Sequence, residues 1–432
     1  MTRRTEASWI QRDRARVWHG FTQMDSYATN RPVIVDRAEG RELIDVDGRR
    51  YLDAMSSLWV TTLGHRVPEL DEALRAQASR VAHSTLLGHG NTVVVELAEA
   101  LATEVPVEDP RFLFASDGAA AVEQALKIAF QYWRNRGVDG RSCFLALGDA
   151  YHGDTIGSLS VGAGGFGTDL FDPLRFPGVI HTPGYRDPEW CEAAIGVLRA
   201  RSSELAAAII EPMVQGAAGM HVAEARDVQR FGRACQEAGV LLVCDEVATG
   251  FGRTGSLFAS QPGGLRPDLL CLGKGLAGGY LPMSATVASG PVADAFLGED
   301  LGPAALYHGH SFGGNALAAA VALRHLQLLL EWDVVANVVE RAEQLAKRLA
   351  PLASEAAVAD VRTCGLMAGV ELAPPADGLR WGRRVCAAAV EAGVLIRPLG
   401  DVVVLVPILT STEDEIDRIV DVLETSIAQT CR

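Results

Sequence analysis

Lysine is almost missing from this chain. Of 39 Lys and Arg residues in 432, only Lys127, Lys274 and Lys347 are lysine. Arginine serves wherever a fixed cation is wanted, so a lysine retained at a special place points to chemistry that needs a deprotonatable amine. Positive charge is outnumbered, 39 Lys and Arg against 54 Asp and Glu. A net charge of −15 and the lack of any Lys/Arg block exclude a basic footprint for nucleic acid. No apolar run approaches the length of a membrane span, and the polar start "MTRRTEASWIQRDRAR" lacks the apolar core of a secretory signal. A cytoplasmic protein without a membrane partner is expected. The eight cysteines include no C-x-x-C pair, which excludes a zinc ribbon or a dithiol redox motif, and no metal centre is expected. Cys244 and Cys271 sit inside apolar runs and read as small buried hydrophobes.

What is present is a large, ordinary globular composition, 48% hydrophobic, enough for one large domain with a smaller companion. Between residues 92 and 331 short apolar runs alternate with helical segments, which predicts an α/β domain with a mostly parallel sheet covered on both faces. The predicted strands are 111–116, 143–147, 206–212, 240–246, 268–273 and 284–289. Val122, Ala125, Ala129, Tyr132 and Trp133 keep one face of a predicted helix over 119–136. Residues 30–53 carry short strand signals around an Asp47–Gly48 turn. A long helix is predicted over 314–331. Beyond it come a helix, strands within 358–372, a helix from 379, strands near 394–406 and a final helix, an α+β pattern. The expected division is an N-terminal segment, 1–60, contributing to the small domain; a large domain, 61–331; and a C-terminal small domain, 332–432.

In open α/β sheets ligands collect beyond the carboxyl ends of the strands. The run 111–116 leads into Asp117, Gly118 and Ala119 and a helix start suited to phosphate, although Ser116 or Asp117 before Gly118 is equally a plain N-cap. The run 143–147 leads into "GDAYHGDT" with Tyr151, His152 and Asp154. The next runs end at Glu211, at Asp245 and Glu246, and at Lys274, which stands between glycines in "LCLGKGLAGG". Any one of these is explained as the first solvated position after a strand. The set is better explained by pyridoxal phosphate: an amine to bind it covalently, an aspartate 29 residues earlier to keep its pyridine nitrogen protonated, an aromatic ring and a helix N-terminus for the phosphate. Lys127 and Lys347 lie in amphipathic helices and read as solvated cations.

Competing chemistries lack their motifs. Lys274 is followed by Gly275, so there is no G-x-x-x-x-G-K-[ST]; H-E-x-x-H is absent; and "SLSVG" at 158–162 misses the G-x-S-x-G elbow at its first position. A non-catalytic pyridoxal-phosphate-binding regulator would need a DNA-binding segment, and none is visible.

Over nearly its whole length the chain resembles the class III, fold-type I pyridoxal phosphate aminotransferases. The likeness is carried by "YHGDT" (151–155), "DEVATGFGRTG" (245–255), "GKGLAGGYLP" (273–282) and "HGHSFGGNAL" (308–317). Within that family "SSLW" (56–59), "FQYW" (130–133) and "IRPLG" (396–400) are similar to the branch that aminates 8-amino-7-oxononanoate in biotin synthesis. The resemblance implies S-adenosylmethionine or lysine as amino donor, 8-amino-7-oxononanoate as acceptor, and a homodimer with shared active sites. The alternative is another class III ω-amino acid or diamine aminotransferase, including one of secondary metabolism.

Residue by residue, the resemblance implies Lys274 as the cofactor-linked proton carrier, Asp245 as partner of the pyridine nitrogen and Tyr151 as the stacked ring. Gly118 and Ala119 would offer N–H groups to the phosphate. His310 and Ser311 would reach the phosphate of a second subunit, the alternative for Ser311 being a simple N-cap. Trp59 would wall the substrate pocket, Arg397 would pair with the substrate carboxylate, and Arg253 and Phe21 would shape the substrate side. Glu211 stands where many relatives neutralise a movable arginine. Ala119 replaces a common hydroxyl residue, and Gly20, Phe21, Leu58 and "VPIL" (406–409) depart from the family pattern on the substrate side.

Overall fold

The computed structural model describes residues 5–163 and 167–431. Seven strands form the central sheet: β1 (Arg111–Ala115), β2 (Cys143–Leu147), β3 (Val179–Thr182), β4 (Leu205–Ile210), β5 (Leu241–Asp245), β6 (Leu269–Leu272) and β7 (Ser284–Ala288). Their order is β1-β7-β6-β5-β4-β2-β3. Only β7 is reversed, pairing antiparallel with both β6 and β1, so six strands deliver their carboxyl ends to one edge. The predicted strands match six of these. β3 was not predicted, since "VIHT" follows Pro177 and offers only two apolar residues.

Alternation along the strands explains the two covered faces. Phe144, Ala146, Ala207, Ile209, Leu241, Val243, Leu269 and Cys271 pack with Ala121, Val122, Ala125 and Ala129 of α1 (Gly118–Asn135). The intervening Leu145, Leu147, Ala208, Ile210, Leu242, Cys244, Leu270 and Leu272 face the larger core with the helices Trp190–Arg201 and Ala225–Glu237 and with α2 (Ala316–Glu331). Every residue of β4, β5 and β6 is buried, the near-continuous apolar signature of strands covered on both sides.

Beyond α2, an antiparallel sheet is built from Val358–Cys364, Met367–Leu372, Val402–Leu405 and Arg397–Leu399. It packs with the helices Val334–Leu349, Trp381–Glu391 and Glu413–Thr430. The N-terminal strands Val35–Glu39, Glu42–Asp45 and Arg50–Asp53 form a separate sheet whose fourth member is Val394–Leu395, parallel to Arg50–Asp53. Lys127 and Lys347 are exposed on their helices, as expected.

Candidate active site

At the carboxyl edge, neighbouring strands β6, β5, β4 and β2 present Lys274, Asp245, Glu211 and the Tyr151–His152 pair in that order. The start of α1 closes the fifth side: Gly118 packs beside Gly273, where an added Cβ would lie 3.5 Å from the Gly118 Cα. These residues line a cavity of about 450 Å³ together with Trp59, Ala119, Asp154 and Val247.

Lys274 is half-buried and adopts φ +37°, an uncommon backbone conformation for a side-chain-bearing residue. Its Nζ lies 5.6 Å from the centre of the Trp59 ring. Burial lowers its pKa from the ordinary lysine value, and the carboxylates of Asp245 and Glu211 offset part of that shift. Asp245 is 5% exposed; its Oδ1 accepts the Val247 N–H at 3.0 Å and its Oδ2 lies 2.7 Å from His152 Nδ1. Burial works against a charged His152, but the hydrogen bond to Asp245 and the negative charges of Asp245 and Glu211 outweigh it and raise its pKa. His152 therefore donates to Asp245. Glu211 accepts the backbone N–H of Tyr151 at 3.0 Å and of Gly216 at 3.2 Å, while burial pushes its pKa up to about 7 against the opposing charge of His152. The Tyr151 hydroxyl donates to Asp154 at 2.8 Å.

Asp117 caps α1 by accepting the Ala120 N–H at 2.9 Å, so its carboxylate is committed to the helix. The Gly118 and Ala119 N–H groups have no acceptor among the described residues and border the cavity. A Cβ at Gly118 would stand 2.5 Å from Val247 Cγ1, which is why glycine begins this helix. Unpaired amides at a helix start, a buried carboxylate held by a histidine, and a lysine amine with a lowered pKa fit pyridoxal phosphate in charge and in donor type.

Five of the expected residues lie outside this cavity. Arg253 does not line this cavity: it is 2% exposed, and its guanidinium donates to the Pro407 carbonyl, to the Thr61 carbonyl at 3.2 Å and to Ser56 Oγ at 3.4 Å. Phe21 is 65% exposed and lines a different cavity, with Arg380, Arg383 and Pro398. His310 meets Ser116 Oγ of its own chain at 3.1 Å. Ser311 is exposed in a turn, and the cap of α2 is Asn315, whose side chain accepts the Ala318 N–H at 3.1 Å. Arg397 lies on the strand Arg397–Leu399, paired opposite Val404. The sequence reading gave His152 no role; its position directly after Tyr151, at the same strand end, was the available signal.

Residues 24–427 match the aminotransferase class-III family. A protein of Nitratidesulfovibrio vulgaris named adenosylmethionine-8-amino-7-oxononanoate aminotransferase is 44% identical, over 96% of this chain and 80% of its own. The crystal structure of the protein of that name from Methanocaldococcus jannaschii superposes with a TM-score of 0.95 at 38% identity, covering 99% of this chain and 100% of that one. An amine transaminase from an uncultivated Pseudomonas species, in its PLP-bound form, superposes at 0.89 with 33% identity over 96% of this chain and 99% of its own. With the lysine, aspartate and helix start gathered at one sheet edge, these likenesses establish that the chain belongs to the class-III aminotransferases, pyridoxal-phosphate-dependent enzymes of fold type I.

Proposed function

We propose that the chain transfers an amino group from S-adenosylmethionine or lysine to 8-amino-7-oxononanoate, giving 7,8-diaminononanoate for biotin synthesis. The names of the relatives support this reading. The observation that carries it is Arg397. Its side chain makes no hydrogen bond or ion pair among the described residues. It also shares a strand face with Leu399, which packs against the cluster containing Trp59. A guanidinium without a partner, backed by Pro398 and beside an apolar wall, suits the carboxylate end of an aliphatic acid.

Pyridoxal phosphate, when bound, supplies an electron sink for the carbon bearing the amino group. The chain's residues do the rest. Gly118 and Ala119 would take the phosphate, Asp245, held by His152, would keep a proton on the pyridine nitrogen, and Tyr151 would pack against the ring. Lys274 Nζ, its pKa lowered by burial, takes and returns the proton at the reacting carbon. Trp59 excludes water beside it. The working unit is a cytoplasmic homodimer: Tyr307 and Phe312, on either side of Ser311 in the chain, are exposed apolar residues, as is Leu87 beside Gly309, and eight free cysteines suit a reducing compartment. Residues 61–331 bind the cofactor, while 1–60 and 332–432 form the small domain, a division supported by the pairing of Val394–Leu395 with Arg50–Asp53.

Purified protein is expected to show the visible absorbance of lysine-bound cofactor, absent in Lys274→Ala. S-adenosylmethionine or lysine should bleach it and 8-amino-7-oxononanoate should restore it. Arg397→Ala should slow the restoring half by roughly 2 to 3 kcal/mol and spare the donor half. If neither donor bleaches the band while a simple diamine or ω-amino acid does, the enzyme is a general ω-aminotransferase instead.

A further inference from the structure

The buried side of α2 is apolar except at one residue. His325 is fully buried on a helix whose other buried residues are Ala, Val and Leu. Burial lowers its pKa to about 4, with only the Leu276 carbonyl offsetting the shift, so the imidazole is neutral near pH 7. A neutral ring has one donor and one acceptor, and its partners decide which nitrogen is which. Nδ1 lies 3.2 Å from the Leu276 carbonyl, which can only accept, so Nδ1 carries the proton. Nε2 then accepts from the Thr62 hydroxyl at 2.6 Å. A leucine would fill this place without burying two polar atoms, so the reason for a histidine lies in the two partners.

Both partners belong to the frame of the cavity. Leu276 is part of the short 3-10 turn Lys274–Ala277, entered at Lys274 with φ +37° and left at Gly278 with φ +61°. A positive φ at a lysine persists only where the surroundings impose it. The ring packs on this turn: a Cβ at Gly278 would lie 3.1 Å from His325 Cδ2, and one at Gly275 would lie 3.2 Å from Thr62 Cγ2. No backbone N–H reaches the Leu276 carbonyl among the described residues, which leaves His325 as its donor. The Thr62 carbonyl accepts the Leu409 N–H at 2.9 Å. Thr62 also stands just beyond Trp59, after a segment in which Ser56, Ser57 and Trp59 have positive φ. One imidazole therefore joins the turn that carries Lys274 to the loop that carries Trp59.

We propose that His325 is a positioning residue for Lys274, its bonds to Leu276 and Thr62 holding the turn Lys274–Ala277 so that Nζ stays in the cavity. The inference rests on Lys274 being the cofactor-linked amine. His325 itself does not line the cavity and acts through the turn.

The scarcity of lysine makes the test direct. Trace acetylation of the cofactor-free full chain across a range of pH, read by peptide mass spectrometry, gives the ionisation midpoint of Lys274, with the exposed Lys127 and Lys347 as references in the same sample. Burial lowers the Lys274 pKa against the pull of Asp245 and Glu211, so a turn released from His325 lets Nζ regain water. In His325→Leu the Lys274 midpoint is expected to rise by about half a unit or more toward the ordinary lysine value, with Lys127 and Lys347 unmoved. His325→Asn, whose Nδ2 can stand where Nδ1 stood, should keep most of the wild-type midpoint. On the loaded enzyme, His325→Leu should slow bleaching at saturating amine about 10-fold, while the half-saturating concentration stays within about 2-fold. A Lys274 midpoint unmoved in His325→Leu, or moved as far in His325→Asn, overturns the proposal, as does bleaching at the wild-type rate. If His325→Leu does not fold, Thr62→Val, which removes the donor to Nε2, is compared with Thr62→Ser, which keeps it, by the same criteria. A wild-type protein without a visible lysine-bound band refutes the role given to Lys274 alone, since acetylation is read without cofactor.

Discussion

His152 donates to Asp245 across 2.7 Å at the floor of the cavity, and the other nitrogen of its ring, Nε2, is buried without a partner among the described residues. The pair fixes the orientation of Asp245, which a carboxylate needs to hold a proton on a pyridine nitrogen. Removing the donor leaves a buried carboxylate short of one charge-assisted bond, at a cost of about 1.5 to 3 kcal/mol. His152→Phe is therefore expected to weaken cofactor affinity roughly 10-fold or more, read by titrating cofactor-free protein and following the visible band. Unchanged affinity would mean that Asp245 is oriented by the Val247 N–H alone.

The helix start makes a different demand. A Cβ at Gly118 would stand 2.5 Å from Val247 Cγ1, the end of a side chain that lines the cavity, so Gly118→Ala must push Val247 into the space for the cofactor. Cofactor binding should fall at least 10-fold, and Gly118→Ala with Val247→Ala should recover most of it, because the obstructing methyl is gone. Gly153 offers no such rescue. It has φ +124°, and its Cβ would meet the Ala119 backbone at 3.0 Å. Gly153→Ala should thus stay impaired whatever its side-chain neighbours. Failure of the Gly118 rescue would locate the clash elsewhere.

How much of this was legible depended on distance along the chain. Lys274, Asp245 and Glu211 each close an apolar run, so strand and site were written in one local pattern. Arg253 was not. It sits in "GFGRTG", a glycine-rich stretch that reads as an exposed loop, and its burial comes from partners at Ser56, Thr61 and Pro407, more than 150 residues away. Strain at Ser56–Trp59 was equally silent, because positive φ normally announces itself through glycine and this segment has none. Phe21 carried a family-based expectation that no local pattern could test, and the chain places it in another cavity.

Glu211 links the site to pH. Its pKa rises from 4.5 unfolded to about 7 folded, burial outweighing the two amides and His152 that favour its charged form. Folding therefore takes up a proton here. The contribution is fully present below about pH 4.5 and is lost as pH climbs through about 7, amounting to on the order of 3 kcal/mol if the whole shift is expressed. Glu211→Gln cannot titrate. The stability of cofactor-free wild type, measured by urea unfolding, should accordingly fall relative to Glu211→Gln between pH 5 and pH 8. His152, whose pKa is also raised, contributes the same sign in both proteins. Parallel pH profiles for the two would show that Glu211 stays ionised throughout.

Ser311 bears on assembly. It is exposed, it lies four residues before the Asn315 cap of α2, and it does not line the cavity of its own chain. If it serves the phosphate of a neighbouring subunit, each site in a two-fold dimer draws on two chains. Lys274→Ala and Ser311→Asp, the latter chosen to repel phosphate, should each be inactive alone. In a mixed dimer one site then receives both lesions and the other receives neither. Random reassortment makes half the dimers mixed, so roughly a quarter of all sites should recover activity. Native mass spectrometry on the same sample establishes that subunits have exchanged. With exchange proven and no activity regained, every site must carry one lesion, which requires Ser311 to act within its own chain and refutes the shared site.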